Sequence, residues 1–122
     1  MGHSPEFEAI CHDARSRVHE VSLDELAPRM QRGDKLHLID VREDDEWRAG
    51  HAQGAKHLGK GVIERDIVAA VPDKDAEVVL YCGGGFRSAL AGDALQKMGY
   101  RNVHSLIGGW KAWKERGLPV EN

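Results

Sequence analysis

Apolar and polar residues follow one another along this chain in two rhythms, and the rhythms take turns. Compact apolar runs, "KLHLID" at residues 35–40, "AEVVLY" at 76–81 and "NVHSL" at 102–106, have the length and β-branched content of buried strands. Between them, "LDELAPRMQRG", "VIERDIVAAV" and "SALAGDALQKMG" repeat apolar positions three and four apart, the period of a helix with one buried face. The punctuation agrees with this. Ser22 with Glu25 three residues on is a capping-box signature, Gly33 and Gly99 stand where helices stop, and Pro72 ends the stretch 62–71. "DDEWRAG" predicts a short helix closed by Gly50, "GAKHL" a further strand, "HEVS" a short extended piece and "GWKAWKERG" a final helix. Ahead of these, "SPEFEAICHDARSR" opens on Ser4 before Pro5 and predicts a helix with Phe7, Ile10 and Cys11 on one face.

Strands alternating with helices predict an α/β domain. Residues 1–18 read as an N-terminal helical extension and residues 19–122 as the domain proper; 122 residues are enough for one core. With 41% hydrophobic and 30% charged residues the composition is that of a globular protein, and a net charge of −3 argues against nucleic acid as partner. No apolar stretch approaches the roughly 20 residues of a membrane span, so no membrane partner is expected. Residues 1–20 lack the basic-then-apolar layout of a secretory signal, and Glu6 breaks the myristoylation pattern. A reducing cytoplasm, with Cys11 and Cys82 as free thiols, is therefore expected.

That expectation leaves Cys82 available for chemistry. It closes the strand "VVLYC", precedes Gly83, Gly84 and Gly85, and is followed five positions later by Arg87. In an open parallel sheet ligands bind beyond the carboxyl ends of the strands, where Asp40 also stands at the end of "LHLID". A glycine-rich loop can turn its N–H groups inward as an anion cradle, and a helix starting near Ser88 adds the positive end of its dipole. No acidic residue lies between Cys82 and Ala91, and Arg87 offers a cation that lowers a thiol pKa and suits a small oxyanion. The loop thus reads as a site for a nucleophilic sulfur, although an ordinary turn with a core cysteine fits the same residues. "GGGFRS" lacks the last glycine of a dinucleotide loop, and the Walker pattern is absent.

The stretch 81–120 resembles the active-site half of a rhodanese domain. Cys82, Gly85, Arg87 and Ser88 match the family's Cys-x-x-Gly-x-Arg-Ser loop. Asp40, Val41, Arg42, Glu46, Gly50, His51, Gly54 and Ala55 match its upstream signature, and "LIGGWKAWKERGLPV" is similar to its C-terminal pattern. The resemblance implies a central parallel sheet of about five strands with helices on both faces. It also implies a sulfurtransferase: Cys82 would take sulfane sulfur from an anionic donor such as thiosulfate, hold it as a persulfide, and pass it to cyanide in vitro or to a cellular thiol or protein acceptor. Gly83, Gly84, Gly85, Phe86, Arg87 and Ser88 would surround the sulfur, with Asp40 and Arg42 supporting the loop. No cofactor or metal is implied, and a monomer or weak homodimer is expected.

Phosphatases and arsenate reductases of the same fold place arginine six positions after cysteine, one more than here, and a non-enzymatic persulfide carrier or binding module fed by a partner protein is a further alternative. Elsewhere the readings are plainer. His51 supports a turn, Trp47, Trp110 and Trp113 pack, and Cys11 is a packed thiol. Arg42 and Glu46 are spaced for a local ion pair, "REDDE" reads as a solvated face, and His57 and His104 lack partners at metal-ligand spacing. Phe86 is expected to stand exposed at the mouth, because the flanking glycines give it little to pack against.

Overall fold

A computed structural model describes residues 2–122. In chain order it contains α1 (Pro5–Arg15), β1 (His19–Val21), α2 (Leu23–Gln31), β2 (His37–Asp40), α3 (Asp44–Ala49), β3 (His51–Ala52), β4 (Lys56–His57), α4 (Ile63–Ala70), β5 (Val78–Tyr81), α5 (Phe86–Lys97), β6 (Val103–Leu106), α6 (Gly109–Glu115) and β7 (Val120–Glu121). Five strands form a parallel sheet in the order β1-β6-β5-β2-β4. The apolar runs become its centre because both faces of a parallel sheet are covered. Val78 and Leu80 face a core shared with Ile63 and Ile67 of α4 and Leu95 of α5. Val79 and Tyr81 face the opposite core, with Leu26 of α2 and Trp113 of α6.

The register aligns Asp40 with Tyr81, so β2 and β5 finish together and the segments that follow them meet at one edge. The capping box forms as the sequence indicates: Ser22 Oγ accepts from Glu25 N–H at 3.2 Å and holds α2 to its start. Two short strands, β3 and β7, pair antiparallel outside the main sheet, and the apolar pattern gave no sign of them.

Helix α1 packs along α5. Cys11 and Ala14 of α1, with Val18 just beyond it, are buried there. A Cβ on Gly92 of α5 would come within 2.9 Å of Val18 Cγ1, so glycine is what lets the two segments approach. Ile10, expected on the buried face, is 54% exposed instead. The buried stripe follows Cys11, Ala14 and Val18, and Ile10 lies on the helix's outer side.

Candidate active site

β5 ends at Tyr81, and the chain leaves the sheet through Cys82 and the three glycines. α5 begins at Phe86, two residues before the expected start, with Gly85 as its cap in a left-handed conformation at φ +98°. This turn folds the loop over its own cysteine. Gly85 N–H donates to Cys82 Sγ at 3.1 Å and Ser88 N–H donates at 3.4 Å. The second is available because the first-turn amides of a helix have no partner inside it. Ser88 Oγ lies 3.5 Å from Sγ and 2.7 Å from Ser105 Oγ.

The loop's carbonyls are drawn the other way. Cys82 O accepts from Trp110 N–H at 2.7 Å, Gly83 O from Lys111 N–H at 3.2 Å, and Gly85 O from Arg15 Nη2 at 3.1 Å. Oxygens tied outward leave the amide hydrogens turned inward, which is how backbone builds a cradle for negative charge. α6 can come this near only because Gly109, at φ +50°, has no Cβ; one would collide with the Cys82 carbonyl.

Cys82 is 1% exposed. Burial on its own pushes its thiol up, but the Ser88 hydroxyl and the N–H groups of Ser88, Gly85 and Gly84 outweigh it and hold the thiol below its ordinary value. Arg87 is not left unpaired beside the sulfur as its sequence position suggests. Its guanidinium is bound at both ends by Glu46, with Nη1 to Oε1 at 2.8 Å and Nη2 to Oε2 at 3.2 Å. The pairing raises the Arg87 pKa and holds the Glu46 carboxyl below its usual range. The loop itself is free of acids, as the sequence reads, yet an acid arrives from α3.

Arg42 accordingly does not pair with Glu46. It turns back to Asp40, with Nη2 to Oδ2 at 2.8 Å, and also donates to Gly50 O at 2.7 Å. Both partners are buried, so "REDDE" is a solvated face only at Glu43, Asp44 and Asp45. The Arg42 guanidinium sits 4.7 Å from the centre of the Trp110 ring, and Trp110 N–H holds the Cys82 carbonyl. Asp40 and Arg42 are thus linked to the loop through Trp110. His51 Nδ1 bonds to Trp47 O at 3.0 Å, and its ring stacks on Trp47.

Phe86 departs from its expected exposure. It is half-buried, with its ring centre 4.5 Å from that of His3 and 6.1 Å from that of Phe7, and the Arg15 guanidinium 4.5 Å away. The glycines leave it no neighbours in the loop, but the segment that opens the chain supplies them. A pocket of about 280 Å³ lies above the sulfur, lined by Cys82, Gly83, Gly84, Phe86, Arg87 and, from the N-terminal segment, His3 and Phe7. The sequence reading assigned no site role to His3, Phe7, Arg15, Ser105 or Trp110. The Gly108–Gly109 pair before Trp110 was the one local signal that backbone approaches backbone there.

A family profile, the Rhodanese-like domain, matches residues 22–116 of this chain. The chain belongs to the rhodanese-like family. Among its rhodanese-like relatives is the thiosulfate sulfurtransferase GlpE of Vibrio cholerae, 30% identical over 95 residues that cover 78% of this chain and 88% of that protein. The probable adenylyltransferase/sulfurtransferase MoeZ of Mycobacterium tuberculosis is 39% identical over 95 residues, 78% of this chain; the chain spans only 24% of MoeZ's length. Among solved structures, RPA3614 of Rhodopseudomonas palustris, described as a possible tyrosine phosphatase, superposes with a TM-score of 0.83 at 27% identity over 99% of both chains. That overlap takes in the α1 segment. No helix among the described residues is long and apolar enough to cross a membrane.

Proposed function

We propose that this protein is a sulfurtransferase in which Cys82 is the nucleophile and carries sulfane sulfur as a persulfide. The observation that supports this reading is the convergence of the Gly85 and Ser88 N–H groups on Cys82 Sγ, at 3.1 and 3.4 Å, in a loop that depresses the thiol. A thiolate is the attacking species, and the same amides suit the terminal sulfur of a persulfide anion. The Cys82 thiolate attacks the outer sulfur of thiosulfate; the new S–S bond forms as the old one breaks, and sulfite leaves with the electron pair. A thiophilic acceptor such as cyanide then removes the outer sulfur and restores the thiolate, which makes the cycle ping-pong. Asp40 and Arg42 hold the frame, and Ser88 holds the sulfur. The natural acceptor would be a thiol or a protein, in a reducing compartment that keeps both cysteines free.

The phosphatase description of RPA3614 favours a second reading, phosphoryl transfer at the same cysteine. Against it stand the spacing, with Arg87 five positions after Cys82, and the engagement of Arg87 by Glu46.

Intact-mass measurement separates the readings. After incubation with thiosulfate the protein should gain one sulfur atom, and cyanide should remove it as thiocyanate. No gain in mass, together with hydrolysis of p-nitrophenyl phosphate, would replace sulfur transfer by the second reading.

A further inference from the structure

Three aromatic rings meet over Cys82, and two of them come from the segment that opens the chain. His3 and Phe7 lie with ring centres 4.9 Å apart, and His3 lies 4.5 Å from Phe86. Together with the bare backbone of Gly83 and Gly84 they line the pocket of about 280 Å³ above the sulfur. A dry apolar cavity of about 150 Å³ accepts a benzene ring, so this pocket has room for such a ring and for the group that carries the sulfur. Inorganic thiosulfate would leave most of that aromatic surface unused. Among the described residues of the lining, Arg87 is engaged by Glu46 and offers a small dianion less than an unpaired guanidinium would. Rings favour polarisable sulfur at their edges and other rings in tilted contact.

The segment is also held firmly enough to serve as a wall. Arg15 Nη2 binds Gly85 O at 3.1 Å, and the same guanidinium lies over Phe86. Cys11 and Ala14 anchor the helix by burial, and Ser4 Oγ caps it by accepting from Phe7 N–H at 3.1 Å.

Resting on the sulfur-transfer reading above, we propose that Phe7, His3 and Phe86 are specificity-determining residues. They select a donor whose sulfane sulfur is carried on an apolar, ring-sized body, such as an aryl thiosulfonate, over donors with a small body. The step conserves atoms and charge. The Cys82 thiolate forms a bond to the terminal sulfur of the thiosulfonate, the donor's S–S bond breaks, and the sulfinate leaves with the electron pair. No oxidant or reductant is consumed.

The probes are benzenethiosulfonate and methanethiosulfonate, which present the same reacting group on bodies of different size. The readout is the ratio of their kcat/KM values with cyanide as acceptor, since a loss of folded protein lowers both values and leaves the ratio unmoved. Phe7→Ala should lower the ratio, benzene over methane, roughly tenfold, with Phe7→Leu between it and the unaltered protein. His3→Ala should lower it roughly threefold; His3 precedes the helix cap, so this variant keeps the test sound if Phe7→Ala loosens α1. A ratio within about twofold of the original in both alanine variants, with both donors still loading sulfur on Cys82, overturns the proposal and leaves sulfur transfer standing. If neither donor loads Cys82, the sulfur-transfer reading itself fails, and the proposal with it.

Discussion

Cys11 and Cys82 are both out of solvent, at 0% and 1% exposed, yet the protein treats the two thiols oppositely. Burial pushes Cys11 up, and the Arg15 guanidinium nearby only partly offsets it. At Cys82 the same burial is overcome by hydrogen bonds from Ser88, Gly85 and Gly84. The difference lies in where each residue sits on its helix. Cys11 is inside α1, where neighbouring amides are already paired within the helix. Cys82 stands just ahead of α5, where the amides are free and a left-handed glycine turns them back on the sulfur. Reactivity at a buried thiol is therefore set by donors within reach.

The largest expected effect sharpens this contrast. Cys82→Ser should abolish sulfur loading, whereas Cys11→Ser should still gain one sulfur by intact mass; loading in the first variant, or its loss in the second, would reverse the two roles. Next in size is the frame beneath the loop. Asp40→Ala leaves the Arg42 charge buried without its partner and should lower stability by about 3–5 kcal/mol in urea unfolding. A loss below about 1 kcal/mol would show that the pair does not hold that frame.

A third test narrows the distance between the thiols. Alkylation of Cys82 should rise with pH and level off once the thiolate dominates. Because its pKa lies below the ordinary thiol value, the plateau is reached at lower pH than for a free cysteine, while Cys11 remains protonated and slow. Ser88→Ala removes a hydrogen bond to the thiolate. It should slow alkylation at neutral pH roughly five- to tenfold and move the profile to higher pH. An unmoved profile would exclude the hydroxyl as the controlling donor. The smallest effect is expected from Arg15→Met, which frees the Gly85 carbonyl. There the same alkylation assay should show a slowing of roughly two- to threefold.

Much of the fold was legible because its determinants are local. "VVLY" is continuously apolar and becomes a central strand, and Ser22 with Glu25 caps α2 as its spacing indicates. β3 and β7 were not legible: two residues each carry no periodicity, and their pairing joins His51 to Glu121 across most of the chain. The site divides in the same way. The loop from Cys82 to Ser88 could be read because its chemistry is contiguous. Glu46, 41 residues away from Arg87, could not, and a pairing with Arg42 was the natural expectation from spacing alone. Phe86 failed for a related reason. The glycines beside it describe its neighbours in the chain, while its neighbours in space are His3, Phe7 and Arg15.

The outward ties of the loop also set a schedule. The Cys82 carbonyl is held by Trp110 N–H, and the hydroxyl of Ser88 leans on that of Ser105, both groups made well after the cysteine itself. During synthesis the thiol therefore emerges together with the amides that face it but before Ser105 and Trp110, the outer partners that hold the loop in place. A chain that stops short of α6 has the Gly85 and Ser88 amides but lacks the Trp110 and Lys111 contacts that hold the loop's carbonyls outward.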